Sequence, residues 1–144
     1  MGPRRLDIAW AAGFYDGEGS ITLSVNKGYL HLEVACSQKV QLPLMLFKKW
    51  FGGSIYSYKP LRGDPAYIWK TFGSNGITFL KTVLPFLVVK GEDAKDVIDI
   101  WESKDYDRAE ARHKSRKAAH DAIHALRAGL EVVGTDDSTS GEGV

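Results

Sequence analysis

The stretch Ala11-Ala12-Gly13-Phe14-Tyr15-Asp16-Gly17-Glu18-Gly19-Ser20 decides how this chain is read. It starts as an apolar helix, carries glycines where a helix disfavours them, and reaches an acid. A glycine in a helix interior costs about 1 kcal/mol relative to alanine, so Gly13 and Gly17 need a reason. With Ala9 they form a row of minimal side chains at i, i+4 and i+8, which lets two backbones approach closely. An acid at the end of such a contact, followed at once by a strand, points to a metal-binding carboxylate at a seam.

The flanking sequence supplies the fold. Leu6 to Gly17 reads as a mostly apolar helix. Ser20 to Asn26 then alternates, with Ile21, Leu23 and Val25 on one face and Ser20, Thr22, Ser24 and Asn26 on the other. After a Lys27-Gly28 turn the alternation resumes from Tyr29 to Gln38, with Leu30, Leu32, Val34 and Cys36 inward and Tyr29, His31, Glu33, Ala35 and Ser37 outward. That is a hairpin with one buried and one polar face. Leu42 to Phe51 is an amphipathic helix whose core is Leu46, Phe47, Trp50 and Phe51, stopped by Gly52-Gly53. Ser54 to Lys59 and Ala66 to Phe72 form a second hairpin around the Pro60–Pro65 loop. Helices follow over Ile77–Val88, with an interruption near Pro85, over Asp93–Lys104 and over Tyr106–Val132. Gly134 to Val144, rich in Gly, Ser, Thr and acid, reads as disordered. The order α-β-β-α-β-β-α-α-α is an α+β fold: four antiparallel strands, helices on one face, and a polar face left open. One domain is expected over 1–132 and a disordered tail over 133–144.

Length and composition agree. A chain of 144 residues, 44% hydrophobic and 26% charged, is an ordinary globular domain. The single Cys36 excludes an internal disulfide framework. The longest apolar run, Val83 to Val89, contains Pro85 and is too short to span a bilayer, and the N-terminal residues hold no signal-peptide core. An intracellular, soluble protein is expected, its compartment unspecified. Net charge is only +1, but its distribution is uneven. Between residues 20 and 73, Lys27, Lys39, Lys48, Lys49, Lys59, Arg62 and Lys70 face only Glu33 and Asp64. Between 107 and 117, Arg108, Arg112, Lys114, Arg116 and Lys117 face Asp107 and Glu110. Two basic zones beside a twisted sheet with a polar face are the footprint of a nucleic-acid binder.

The segment AAGFYDGEGSI resembles the LAGLIDADG motif of homing endonucleases, and the α-β-β-α-β-β-α order after it matches that family's core. Ser37-Gln38-Lys39, and the run from Leu84 to Lys90, stand where the family carries its catalytic polar residues. The resemblance covers residues 6 to about 130. It implies a saddle-shaped sheet, with the remaining C-terminal helices added to the core. A single motif implies a homodimer whose two motif helices pack about a two-fold axis through Ala9, Gly13 and Gly17, reading a pseudo-palindromic double-stranded DNA site. Glu18 takes the place of the metal-binding acid, with the Gly17 carbonyl as a second ligand to Mg²⁺ or another divalent cation. Gln38 matches the residue that positions the attacking water, and Lys90 the cation that stabilises developing phosphoryl charge. The implied activity is metal-dependent cleavage of both DNA strands across a minor groove, leaving short 3′ overhangs and spreading the host intron. Alternatives from other classes are an RNA-binding maturase, with intron RNA as partner, and a DNA-binding regulator that has lost cleavage.

One departure stands out. Some single-motif relatives carry an arginine where this chain has Leu42, so Lys48, Lys49 or Lys59 substitutes or the site runs with one cation fewer. Asp16, the motif's other acid, reads as a local hydrogen-bonding group. DNA contacts are expected from the outward residues Thr22, Ser24, Asn26, Tyr29, His31, Glu33, Ser54, Tyr56, Tyr58 and Lys70, with Lys114, Arg116 and Lys117 on phosphates. The register of 66–72 is open, with Trp69 read as core. His120 and His124 have a zinc-compatible spacing but no third ligand.

Overall fold

The structure, a computed structural model, describes residues 2–139. Helix α1 (Arg5–Glu18) leads into strands β1 (Gly19–Asn26) and β2 (Tyr29–Gln38). Helix α2 (Leu42–Phe51), strands β3 (Ser54–Tyr58) and β4 (Ala66–Phe72), and helices α3 (Gly73–Val83), α4 (Gly91–Ser103) and α5 (Tyr106–Thr139) follow. The strands form one antiparallel sheet in the order β1-β2-β4-β3, so both hairpins are as expected and join through β2 and β4. The chain divides into two compact units, Met1–Ala109 and Glu110–Val144, a division inside the span read above as one domain. The first unit holds the whole sheet; the described part of the second is the helix α5 from Glu110 on. That helix takes in residues 133–139 of the segment read as a tail, and 140–144 lie outside the described residues. No helix of the described residues is long and apolar enough to cross a membrane.

Alternation in sequence becomes two chemically different faces. Ile21, Leu23, Leu32, Val34, Cys36 and Trp69 are buried toward α1, α2 and α3. Phe47 of α2 is the hub: its ring lies 5.1 Å from Trp69, 5.6 Å from Phe14 and Phe51, and 5.8 Å from Phe79. Aromatic pairs at these separations add about 0.5–1.5 kcal/mol each beyond the area they bury. The Trp69 indole N–H donates to the Gly52 carbonyl at 2.7 Å, which fixes the register of β4 with Trp69 inward and Lys70 outward. Ala35 is an exception to the expected alternation. It lies on the outward face but is buried, because its methyl sits on a central strand between the residues paired with it, Ser20 and Lys70.

Three helix readings need correction. In α2 the fully buried pair is Leu44 and Phe47; Leu46, Trp50 and Phe51 are only half-buried. The helix expected over Ile77–Val88 begins at Gly73 and ends at Val83, giving way to a 3-10 turn at Leu84–Phe86 around Pro85, whose missing N–H cannot continue the helical ladder. Gly76 lies inside α3 and lets its first turn lie on β2, where a Cβ would stand 3.1 Å from Leu32 and 3.2 Å from Val34. The next helix starts at Gly91, two residues earlier than expected.

Candidate active site and nucleic-acid interface

Helix α1 has a buried and an open side. Ala11, Ala12 and Tyr15 are fully buried, while Leu6, Trp10, Gly13 and Gly17 are exposed and Ala9 is half-buried. A Cβ added to Gly13 or Gly17 would meet nothing within 4 Å. Nothing among the described residues of the monomer therefore requires either residue to be small. Gly19 differs: a Cβ there would run into the Tyr15 ring, which is anchored by its hydroxyl donating to the Ser20 carbonyl at 2.6 Å. The third glycine of the motif serves the turn from helix to strand, and the first two look outward.

Glu18 is the last residue of α1 and is exposed. Gly19 pairs with Cys36, which brings Glu18 to the end of the sheet that carries Ser37 and Gln38. Its charge is felt there: burial, and then Glu18, push the Cys36 thiol up to about 12. Gln38 closes β2, and its Oε1 accepts from the Lys39 N–H at 2.8 Å and the Val40 N–H at 3.5 Å, which leaves the amide nitrogen as its donor. The carbonyl of Gly17 belongs to the last helical turn, whose oxygens lack intrahelical partners.

Lys90 reaches the same helix end from far along the chain. Its ammonium donates to the Asp16 carbonyl at 2.7 Å and lies 6.0 Å from the centre of the Tyr15 ring. A cation is favoured there by the helix dipole. The Asp16 carboxylate accepts three backbone N–H bonds, from Val88 at 2.8 Å, Val89 at 3.1 Å and Lys90 at 2.9 Å. Burial works to raise its pKa, but these N–H donors and the Lys90 charge outweigh burial and hold it below the ordinary carboxylate value. The local role read for Asp16 is thus corrected: its partners lie 72–74 residues away. Helical spacing could show that Asp16 and Glu18 point apart, but not which loop returns to meet the first.

The donor chemistry fits a hard divalent cation in part. Glu18 and Gly17 offer oxygen ligands, yet the described residues contain no group of three or more His, Cys, Asp or Glu able to hold a metal. His120 and His124 have ring centres 4.8 Å apart on α5 and belong to no such group. Of the cations suggested as replacements at Leu42, Lys48 and Lys49 line a cavity of about 650 Å³ with Gln41, Ile55, Ser57 and Tyr67, the last of which pairs with Gln38; Glu18 leads into β1 at the other edge of the sheet.

The outward face of the sheet carries all ten residues expected on it. Cross-strand pairing sets Thr22 opposite Glu33, Ser24 opposite His31, Asn26 opposite Tyr29, and Ser54 opposite Lys70. Tyr29, Tyr56 and Tyr58 are exposed. Glu33 and Lys70 are tied to each other at 3.2 Å, so the acid and the base in the middle of this face satisfy one another. The alternation also exposes Phe72, opposite Glu33, which lines a cavity of about 380 Å³ with Thr22, Ser24 and His31. Once the register of β4 is known, Phe72 joins this face; from the sequence alone it read only as a strand end. Lys114, Arg116 and Lys117 are exposed on α5, in the second unit.

No family model and no curated protein matches the chain. Solved structures do. The homing endonuclease I-CvuI, in complex with its target in the presence of calcium, is 26% identical with a TM-score of 0.56, over 67% of this chain and 66% of that one. The same enzyme on the I-CreI target with magnesium, its DNA not cleaved, gives 26% and 0.57 over 68% and 67%. The archaeal intron-encoded homing endonuclease I-Vdi141I, complexed with DNA, shares the fold at 22% identity and a TM-score of 0.56, over 67% of each chain. The chain thus spans about two-thirds of the length of the endonucleases it matches.

Proposed function

We propose, for a chain that belongs to the LAGLIDADG homing endonuclease family by its motif and its fold, that it is a site-specific DNA endonuclease working as a homodimer. The observation that carries this reading is the open side of α1: two helix glycines face free space immediately before an exposed acid. A second copy of α1 set against Gly13 and Gly17 gives those residues their reason and brings a second Glu18 beside the first. Two such half-sites share the metal ligands that one chain lacks. Glu18 and the Gly17 carbonyl would hold Mg²⁺, which supplies charge neutralisation on the attacking and leaving oxygens of a phosphodiester. The amide nitrogen of Gln38 would donate to the attacking water or to a phosphate oxygen. Lys90 presents a point charge to the phosphoryl group from the end of α1.

The outward sheet face lies along the duplex in this reading. Its hydroxyls, tyrosines and Phe72 suit water-mediated, apolar and shape-dependent contacts more than bidentate guanine contacts, for which arginine is the usual donor. The basic residues of α5 add affinity through phosphates.

The test is incubation of the purified protein with a plasmid library of candidate insertion sites and Mg²⁺. Cleavage is expected, lost on chelation of the metal, and abolished by Glu18→Gln with DNA binding retained. Tight binding to structured RNA with no DNA cut would overturn this reading in favour of a maturase. Tight DNA binding without cleavage by the parent protein would favour a regulator.

A further inference from the structure

We propose that Asp16 is a positioning residue for catalysis: by holding both ends of Lys90, it sets that ammonium beside the metal-binding Glu18. The proposal rests on the nuclease reading above and deepens it. Three consecutive N–H groups, Val88, Val89 and Lys90, converge on one carboxylate, and the Lys90 ammonium returns to the carbonyl of the same residue. The root and the tip of the lysine are therefore fixed to a single point of α1.

The segment has little else to hold it. Val88 and Val89 are 86% and 75% exposed, so no apolar packing places their backbone. A 3-10 turn precedes them, and Lys90 is the N-cap of α4, its carbonyl accepting from the Ala94 N–H at 2.8 Å. A lysine head on a flexible stem is a poorly aimed charge unless something restrains it. Here one of its three N–H donors is spent on Asp16, which leaves two for phosphate oxygens. Gly17 and Glu18 follow Asp16 directly, so the metal ligands and the anchor of the cation are consecutive residues of one helix end. The residue type is also specific. Asparagine would replace one acceptor oxygen with a donor and lose part of the triple contact, whereas glutamate keeps both acceptors on a longer arm.

Three variants of the full chain test this: Asp16→Asn, Asp16→Glu and Lys90→Ala, with the Asp16→Asn, Lys90→Ala pair combined. On a cleaved DNA target, Asp16→Asn is expected to slow single-turnover cleavage about a hundredfold, the scale of a misplaced catalytic group, with DNA affinity within about threefold of the parent. Asp16→Glu should recover part of the rate. The double variant should be no slower than Lys90→Ala alone, because Asp16 acts through Lys90. Losses that multiply, or a rate that falls only together with thermal stability, would overturn the proposal. Amide exchange reads the clamp without any cleavage assay. In Asp16→Asn the amides of Val88, Val89 and Lys90 should exchange about tenfold faster while those of Leu80 and Val97 hold. Unchanged exchange at the three amides sinks the clamp even in an active enzyme. A parent protein that cuts no DNA overturns the nuclease reading, and exchange then still decides whether the clamp exists.

Discussion

The two sides of α1 are built to opposite standards. On the buried side Ala11, Ala12 and Tyr15 have no exposure at all and sit under a close-packed aromatic cluster. On the other, Leu6, Gly13 and Gly17 face open space, with Leu6 83% exposed. Small residues on the first side are small because neighbours crowd them. On the second they are small with no neighbour among the described residues to require it. The sheet repeats the contrast: Trp69 and Cys36 lie in the core, while tyrosines, hydroxyls and Phe72 stand outside it.

The largest effect should come from filling the open side. Gly13→Leu or Gly17→Leu is expected to weaken dimerisation about a hundredfold or more, equivalent to about 2.8 kcal/mol. The folded monomer is kept, and the thermal midpoint holds or rises because a helix glycine has been removed. Sedimentation velocity decides: an unchanged oligomeric state in these variants breaks the comparison. The mirror experiment on the buried side has the opposite signature. Ala12→Leu should overpack the core and cost about 1–3 kcal/mol in denaturant unfolding.

A smaller effect is expected on the outer face of the sheet. Glu33→Gln releases Lys70 from its partner at 3.2 Å. Stability should change by less than about 1 kcal/mol, since the pair is partly solvated. DNA binding should tighten, with the slope of log affinity against log salt steepening by about one. Fluorescence anisotropy over a salt series checks both.

The last effect lies inside and is absent at neutral pH. Burial, and then the charge of Glu18, push the Cys36 thiol from its ordinary 9.0 up to about 12. The unfolded thiol ionises first, so the folded chain holds the extra proton, and stability should fall as pH climbs from 9 toward 12. Below pH 8 the thiol contributes no pH dependence and should resist a thiol reagent in the native protein. Rapid labelling of the folded chain would show that the inner side is less closed than described.

Much of this was legible in the residues. Strict alternation over Ser20–Asn26 and Tyr29–Gln38 yields a two-faced hairpin because side chains in a strand repeat every two residues. Trp69 was readable as core, since a ring of that size on a sheet packed beneath helices has nowhere better to go. Helix boundaries were less so. Gly76 stands in the first turn of a helix, and only the approach of α3 to Leu32 and Val34 explains why the helix keeps it. Leu44 rather than Leu46 is buried because the apolar run through α2 allows several faces, and the sheet beneath selects one.

For this protein the sequence by itself determined the strands, their polar and apolar faces, and the motif with its unexplained small residues and its acid. Those follow from local periodicity and from residue size, which act over a few positions. Only the tertiary structure decided that the space around Gly13 and Gly17 is empty, and that Asp16 grips a loop more than seventy residues away. Whether a glycine is crowded, and which N–H a carboxylate meets, depend on how distant segments pack, and no spacing along one chain encodes that.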